Sequence, residues 1–253
     1  MNSGMEVAAY LCGKAASVTC IDLLDVPFSP ILGPEVGKAI QKFQENKGVK
    51  FELGVGLKEF QGEDGKVTGV VLSNDKVVEA DVCVVGIGVV PATAFLKDSG
   101  LNLTQRGEVV VDQYMKVADN VYAGGDVVRF PLPLIGDTAN IGHWQLANKH
   151  GRVAAKNMLG QNVPFDSIPF FWTVLHGKSI RYCGHALKWD DIIISGDPME
   201  FKFVAHYVKD NKVLAVCSMN ADPAVSTAAE LMYQGKMPSG DEIKENPGML
   251  AKL

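Results

Sequence analysis

Residues 82–91 read VCVVGIGVVP, an apolar run that carries Gly86 and Gly88 and stops at Pro91. Apolar runs without two-residue alternation mark strands covered on both faces, as in parallel sheets. The reading is a buried parallel strand over Val82–Val85, followed by a glycine-bearing turn. The stretch is too short for a membrane span, which needs about 20 continuous apolar residues. Downstream, residues 121–126 read VYAGGD, so a second strand ends in two glycines and Asp126. A carboxylate presented there accepts hydrogen bonds from ligand hydroxyls, while nearby amides face a phosphate. A simple turn capped by Asp126 fits the same residues.

Upstream, GMEVAAYL (residues 4–11) has helical propensity with Gly13 as a stop, and SVTCID (residues 17–22) is a β-branched strand ending in an acid. This is the order of the second half of a nucleotide-binding βαβ unit. In such a unit a strand enters a glycine turn, the helix N-terminus holds the pyrophosphate, and an acid about 20 residues on accepts the ribose hydroxyls. Gly4 would be the last glycine and Asp22 the acid; an ordinary helix–strand pair fits the spacing as well. The strand and the first two glycines are missing upstream.

The rest of the chain supports an α/β fold. Pro34 opens a helix with the apolar stripe Val36, Ile40 and Phe43, and Val49–Leu53 follows as a strand. Leu57–Gln61, Lys66–Ser73 and Lys76–Val78 form an antiparallel meander, joined by Gly62-Glu63-Asp64-Gly65 and Asn74-Asp75, residue types that tolerate positive φ. A strand within Asp112–Ala123 and a helix over Ala139–Leu159 come next. Lys149, His150 and Arg152 read as a solvated face of that helix. From Pro164 aromatic-rich strands (Phe170–Trp172, Ile180–Tyr182, Ile192–Ile194, Phe201–Tyr207, Val213–Met219) and a helix at Ala224–Tyr233 make an α+β unit; the polar tail after Lys236 reads as mobile. The pattern divides the chain into residues 1–100, 101–160 and an α+β unit over 161–253.

Composition excludes several classes. Twenty-four Lys+Arg against 29 Asp+Glu leave a net charge of −5 with no basic cluster, which argues against a nucleic-acid binder. Five scattered cysteines (Cys12, Cys20, Cys83, Cys183, Cys217) contain no CxxC, which argues against a disulfide framework, a zinc site or a disulfide reductase and for a reducing compartment. The N-terminus lacks the pattern of a signal peptide.

Taken in order, GMEVAAYL, VTCID, PFSPILGPEVGKAIQKFQENKGVKF, ADVCVVGIGVVPAT, VYAGGDVVRFP, HWQLANKHGRVAAKNMLG and the stretch from Phe171-Trp172-Thr173 to Arg181-Tyr182 closely resemble the apoptosis-inducing-factor and ferredoxin-reductase-like flavoproteins, and among them the Rieske-containing kind. The resemblance runs from Gly4 to about Pro223. It implies a two-dinucleotide-domain reductase of the FAD/NAD(P)-dependent pyridine nucleotide-disulfide oxidoreductase superfamily, with residues 1–100 as the NAD-binding domain, 101–160 as the end of an FAD-binding domain and 161–253 as a C-terminal α+β reductase or dimerisation domain. By that resemblance Glu6 lies near the nicotinamide and Asp22 holds the adenosine ribose, an acid that favours NADH over NADPH. Gly86, Gly88 and Pro91 line the nicotinamide side. Gly125 and Asp126 bind the ribityl chain of FAD. His143 and Trp144 open the helix whose amide end faces the flavin, and Trp172 stands beside the ring. From composition alone, Phe170, Phe171 and Trp172 fit a core equally well, and a lone His143 at a helix start is more often structural.

The implied activity is hydride transfer from NADH to FAD and release of single electrons to an iron–sulfur partner, a Rieske or ferredoxin-type centre. The resemblance also implies a link to apoptosis and a mitochondrial location, or a cytoplasmic one if a targeting segment is truly absent. The first FAD-binding βαβ unit and the Rieske domain are missing from the sequence, so a fragment inactive alone, with FAD binding weak or absent, is expected. Two alternatives stay open: an interaction module in cell-death signalling, and a homodimer in which a second chain supplies the missing strands.

Overall fold

The computed structural model of the chain describes residues 2–251. Helix α1 (Asn2–Leu11) leads to strand β1 (Val18–Asp22), helix α2 (Ser29–Glu45) and strand β2 (Val49–Leu53), with β1 and β2 paired in parallel. Helix α2 is broken at Gly33 (φ 76°), where a methyl group would fall 2.4 Å from Ile192 Cδ1, and Pro34 restarts it. Proline suits that restart because its missing N–H would have no helical partner there. The meander forms as expected from β3 (Leu57–Glu63), β4 (Lys66–Leu72) and β5 (Val77–Glu79), with Asp64, Gly65 and Asp75 at positive φ in its turns.

Next come β6 (Val109–Val110), β7 (Lys116–Ala118), β8 (Val121–Tyr122), β9 (Val128–Leu132), β10 (Asp137–Ala139) and helix α3 (Trp144–Met158). The helix expected from Ala139 starts five residues later, since Asp137–Ala139 pair with β9 and extended backbone cannot also be helical. Strands β6, β9 and β10 close with α3 over Val128, Phe130, Leu146 and Phe165.

Strands β11 (Phe170–Leu175), β12 (Lys178–Gly184), β13 (Asp191–Asp197), β14 (Lys202–Lys209) and β15 (Lys212–Met219) form an antiparallel sheet ordered β11-β12-β15-β14-β13. Side chains alternate across it. Phe203, Ala205 and Tyr207 join a core with α1 and α2 that includes Met5, Phe28, Val36, Ile40 and Phe43. Val204 and Val208 join a second core under helices α4 (Ala224–Tyr233) and α5 (Gly240–Glu245). The first core has polar ties: Tyr207 Oη donates to the Leu32 carbonyl at 2.9 Å, and Gln44 Nε2 donates to the Met5 carbonyl at 3.0 Å.

Two expectations are corrected. Residues 82–90 are not a strand and not buried: Val82 is 74% exposed and Ile87 92%. The run has the composition of a covered strand, but the β1–β2 sheet ends at β1 and no described strand pairs with it. The segment after Lys236 is not a loose tail. Ser239 and Glu242 cap α5 reciprocally, and Ile243 and Leu250 are buried in the second core. Among the described residues no helix is long and apolar enough to cross a membrane, and no cluster of His, Cys, Asp or Glu could hold a metal ion.

Candidate active site at the start of helix α3

Helix α3 begins without a side-chain cap. His143, its N-cap residue, is extended (φ −144°, ψ 130°) and caps nothing. The amides of the first turn have no intrahelical partners by construction, and the helix dipole places partial positive charge there. Around this end the chain gathers residues from three distant segments.

The Gly124-Gly125-Asp126 turn packs directly on α3. Gly125 adopts φ 91°, and a methyl at Gly124 would lie 2.9 Å from His150 Cβ. A methyl at Gly142 would lie 3.4 Å from Asp126 Oδ2, so bare backbone lines the approach to the carboxylate. Asn140 Nδ2 ties the turn down by donating to the carbonyls of Asp126 at 2.8 Å and Val128 at 2.7 Å. These bonds use main-chain oxygens and leave the Asp126 carboxylate free to accept.

Glu6, on α1, comes from the other side. Its Oε1 accepts from Thr173 Oγ1 of β11 at 2.5 Å, a contact between residues 167 apart in sequence. His143 lies within the electrostatic reach of both Glu6 and Asp126. Burial nevertheless holds its pKa below the usual imidazole value, against the pull of Gln145, Asp126 and Glu6. Its ring packs against Phe171 at 5.3 Å, and Phe171 stacks on Tyr182 at 5.0 Å. Trp144 and Trp172 are 64% and 46% exposed, and Trp172 lies 6.4 Å from Phe170. Both indoles are therefore surface groups and not core: Trp144 opens α3, whereas Trp172 shares the face of β11 with Phe170, opposite Phe171 and Thr173.

The structure thus brings together Glu6, Gly125, Asp126, His143 and Trp144; Trp172 stands on the opposite face of β11 from the Thr173 that bonds Glu6. Gly4 and Gly86 form a second contact, a methyl on Gly86 falling 3.7 Å from Gly4 N; Gly4 lies inside α1 and not in a turn before it. Gly88 lies on the exposed run; Pro91, half-buried at its end, flanks Gly107, whose carbonyl accepts from Thr93 Oγ1 at 2.7 Å. Asp22 ends β1 and its Oδ1 accepts from the Leu24 amide at 3.0 Å, a local turn bond. The arrangement offers a carboxylate acceptor, a positively polarised helix end, a neutral imidazole and an aromatic border, which suits a planar polar ring with a hydroxylated chain.

One residue is corrected here. His150 is not on a solvated face: it is fully buried, and its Nδ1 accepts the Gly125 amide at 3.3 Å. Its charged neighbours in sequence hid it. The signal was the glycine pair at 124–125, which needs a close partner.

Residues 2–151 match the pyridine nucleotide-disulphide oxidoreductase family, and residues 170–253 match the reductase C-terminal family. Apoptosis-inducing factor 3 of Homo sapiens is 49% identical over 92% of this chain, which spans 39% of that protein. A probable ferredoxin reductase, CtmF, of Castellaniella defragrans is 29% identical over 95% of this chain and 59% of its own length. The crystal structure of a ferredoxin reductase for the CYP199A2 system of Rhodopseudomonas palustris superposes with a TM-score of 0.90 at 25% identity, covering 99% of this chain and 62% of that one. The chain therefore spans less than two thirds of each of these relatives.

Proposed function

The chain belongs to the pyridine nucleotide-disulphide oxidoreductase family, and from that membership we propose that it forms the flavin-facing part of an FAD-dependent oxidoreductase that takes hydride from NADH and serves an iron–sulfur partner of the ferredoxin or Rieske type. The observation that carries this reading is the convergence of Asp126, the uncapped end of α3 and the Glu6–Thr173 pair on one place. The residues present fit the flavin. Asp126 would accept from ribityl hydroxyls, and the amides at Trp144–Leu146 would face the electron-rich edge of the ring. Trp144 would border it and limit water. Glu6, held by Thr173, would fix the polar edge of the nicotinamide, and Asp22 would take the adenosine ribose. His143 stays neutral and adds no competing positive charge. When bound, FAD accepts the hydride and returns electrons singly.

These residues would supply the ring and ribityl contacts, but among the described residues the one parallel βαβ unit, β1–α2–β2, has no glycine in its first turn to hold the pyrophosphate. Charge-assisted bonds to such oxygens contribute roughly 1.5–3 kcal/mol each. The affinity of this chain alone for FAD is accordingly weak, and turnover belongs to a protein that has those contacts. The test is a titration of FAD with the desalted protein, read by flavin fluorescence and followed by anaerobic NADH. Quenching of flavin fluorescence that saturates in the high micromolar range, and is lost in Asp126→Ala, supports the proposal. Absence of any saturable quenching, or quenching indifferent to Asp126, refutes it.

A further inference from the structure

We propose that His150 is a positioning residue for the Asp126 turn: its Nδ1 accepts the Gly125 amide hydrogen and so fixes the backbone that presents the Asp126 carboxylate. The functional meaning rests on the flavin reading above, whereas the geometry does not. The imidazole sits at the seventh position of α3 and is fully buried. Phe130 and Phe165 pack against it edge-on, at 4.5 and 4.8 Å, and against each other at 5.2 Å. This aromatic box allows the ring little rotation. Gly125 N lies 3.3 Å from Nδ1, and Gly124 approaches so closely that any side chain there would strike His150.

The donor–acceptor sense determines the tautomer. Gly125 N–H can donate only to a nitrogen that bears a lone pair, so the ring proton sits on Nε2. Nε2 is buried without a hydrogen-bond partner among the described residues. A histidine kept only for packing would be a costly choice there, because the buried N–H forgoes its bond to water. What the imidazole provides is the acceptor on its other side. Burial lowers its pKa to about 4 against the opposing pull of the backbone contact with Gly125 and of the Asp126 charge, so the ring is neutral at neutral pH and the acceptor sense rests on the Gly125 N to Nδ1 geometry.

The experiment uses the chain without ligand. In nitrogen-15 NMR, a scalar coupling across the bond between Gly125 N and His150 Nδ1, with Nδ1 unprotonated at pH 7, is expected. Gly125 amide exchange should accelerate about tenfold in His150→Leu, which keeps volume but has no acceptor, and should return to within about threefold of the parent in His150→Asn, whose Oδ1 can take the place of Nδ1. A protonated Nδ1, or equal Gly125 exchange in the parent and His150→Leu, overturns the proposal. If His150→Leu does not fold, the coupling and tautomer in the parent decide. A separate FAD titration of the parent decides the flavin reading, so failure of one is distinct from failure of the other.

Discussion

His150 makes the chain acid-labile in a way that one substitution isolates. Its pKa is about 4 in the folded protein against 6.5 for an unperturbed imidazole, with burial as the main cause. A group with a depressed folded pKa binds its proton more readily in the unfolded chain. Stability from this residue is therefore fully present above about pH 6.5 and is lost as pH falls toward 4. At pH 5 the unfolded imidazole is about 97% protonated and the folded one about 9%, which corresponds to a loss of about 1–2 kcal/mol relative to pH 7.5. The other four histidines are shifted the same way by burial, so the parent loses more than this in total. Those groups are shared with His150→Asn and cancel in the comparison. Urea unfolding, followed by tryptophan fluorescence at pH 7.5 and pH 5, gives the loss for each protein. The variant should lose about 1–2 kcal/mol less than the parent, whatever its baseline stability. Equal losses would show that the imidazole is either solvated or already charged, and the burial argument would fail.

Three further outcomes follow from the packing. Tyr207→Phe removes the donor to the buried Leu32 carbonyl and should cost about 1–3 kcal/mol by chemical denaturation; no loss would mean that water replaces the hydroxyl. Ile243→Ala, in the segment expected from sequence to be loose, should cost about 2–5 kcal/mol because the side chain is fully buried; a change under about 0.5 kcal/mol would return α5 to the surface. Ile87→Asp, on the exposed run, should change stability by no more than about 0.5 kcal/mol, whereas Val36→Asp in the first core should prevent folding; a large loss at Ile87 would show that the run is covered in solution.

The parts of the fold legible in the sequence were those whose signal is local. Gly62–Gly65 and Asn74-Asp75 announced the meander because their backbone requires positive φ, and Asp64, Gly65 and Asp75 adopt it. Helix α4 was read to the residue, and the five C-terminal strands to within a few residues. The misreadings concern burial, which depends on neighbours. Val82–Val90 carries the composition of a covered strand but no described strand lies beside it. His150, flanked by Lys149 and Arg152, reads as surface until the glycine turn is laid against it. The convergence of Glu6, Asp126 and His143 was legible only through resemblance, because the bond from Glu6 to Thr173 spans 167 residues and no spacing rule reaches that far.

The first core also constrains how the chain is made. Its two halves come from residues 5–43 and 175–219. Synthesis at roughly 5–20 residues per second leaves the stripe of Val36, Ile40 and Phe43 waiting roughly 10–35 s for the strands that cover it. During that interval the nascent helix pair carries the same apolar face that later holds the protein together. A slowly translated message should therefore expose this chain to proteolysis more than a less stable protein whose core closes early.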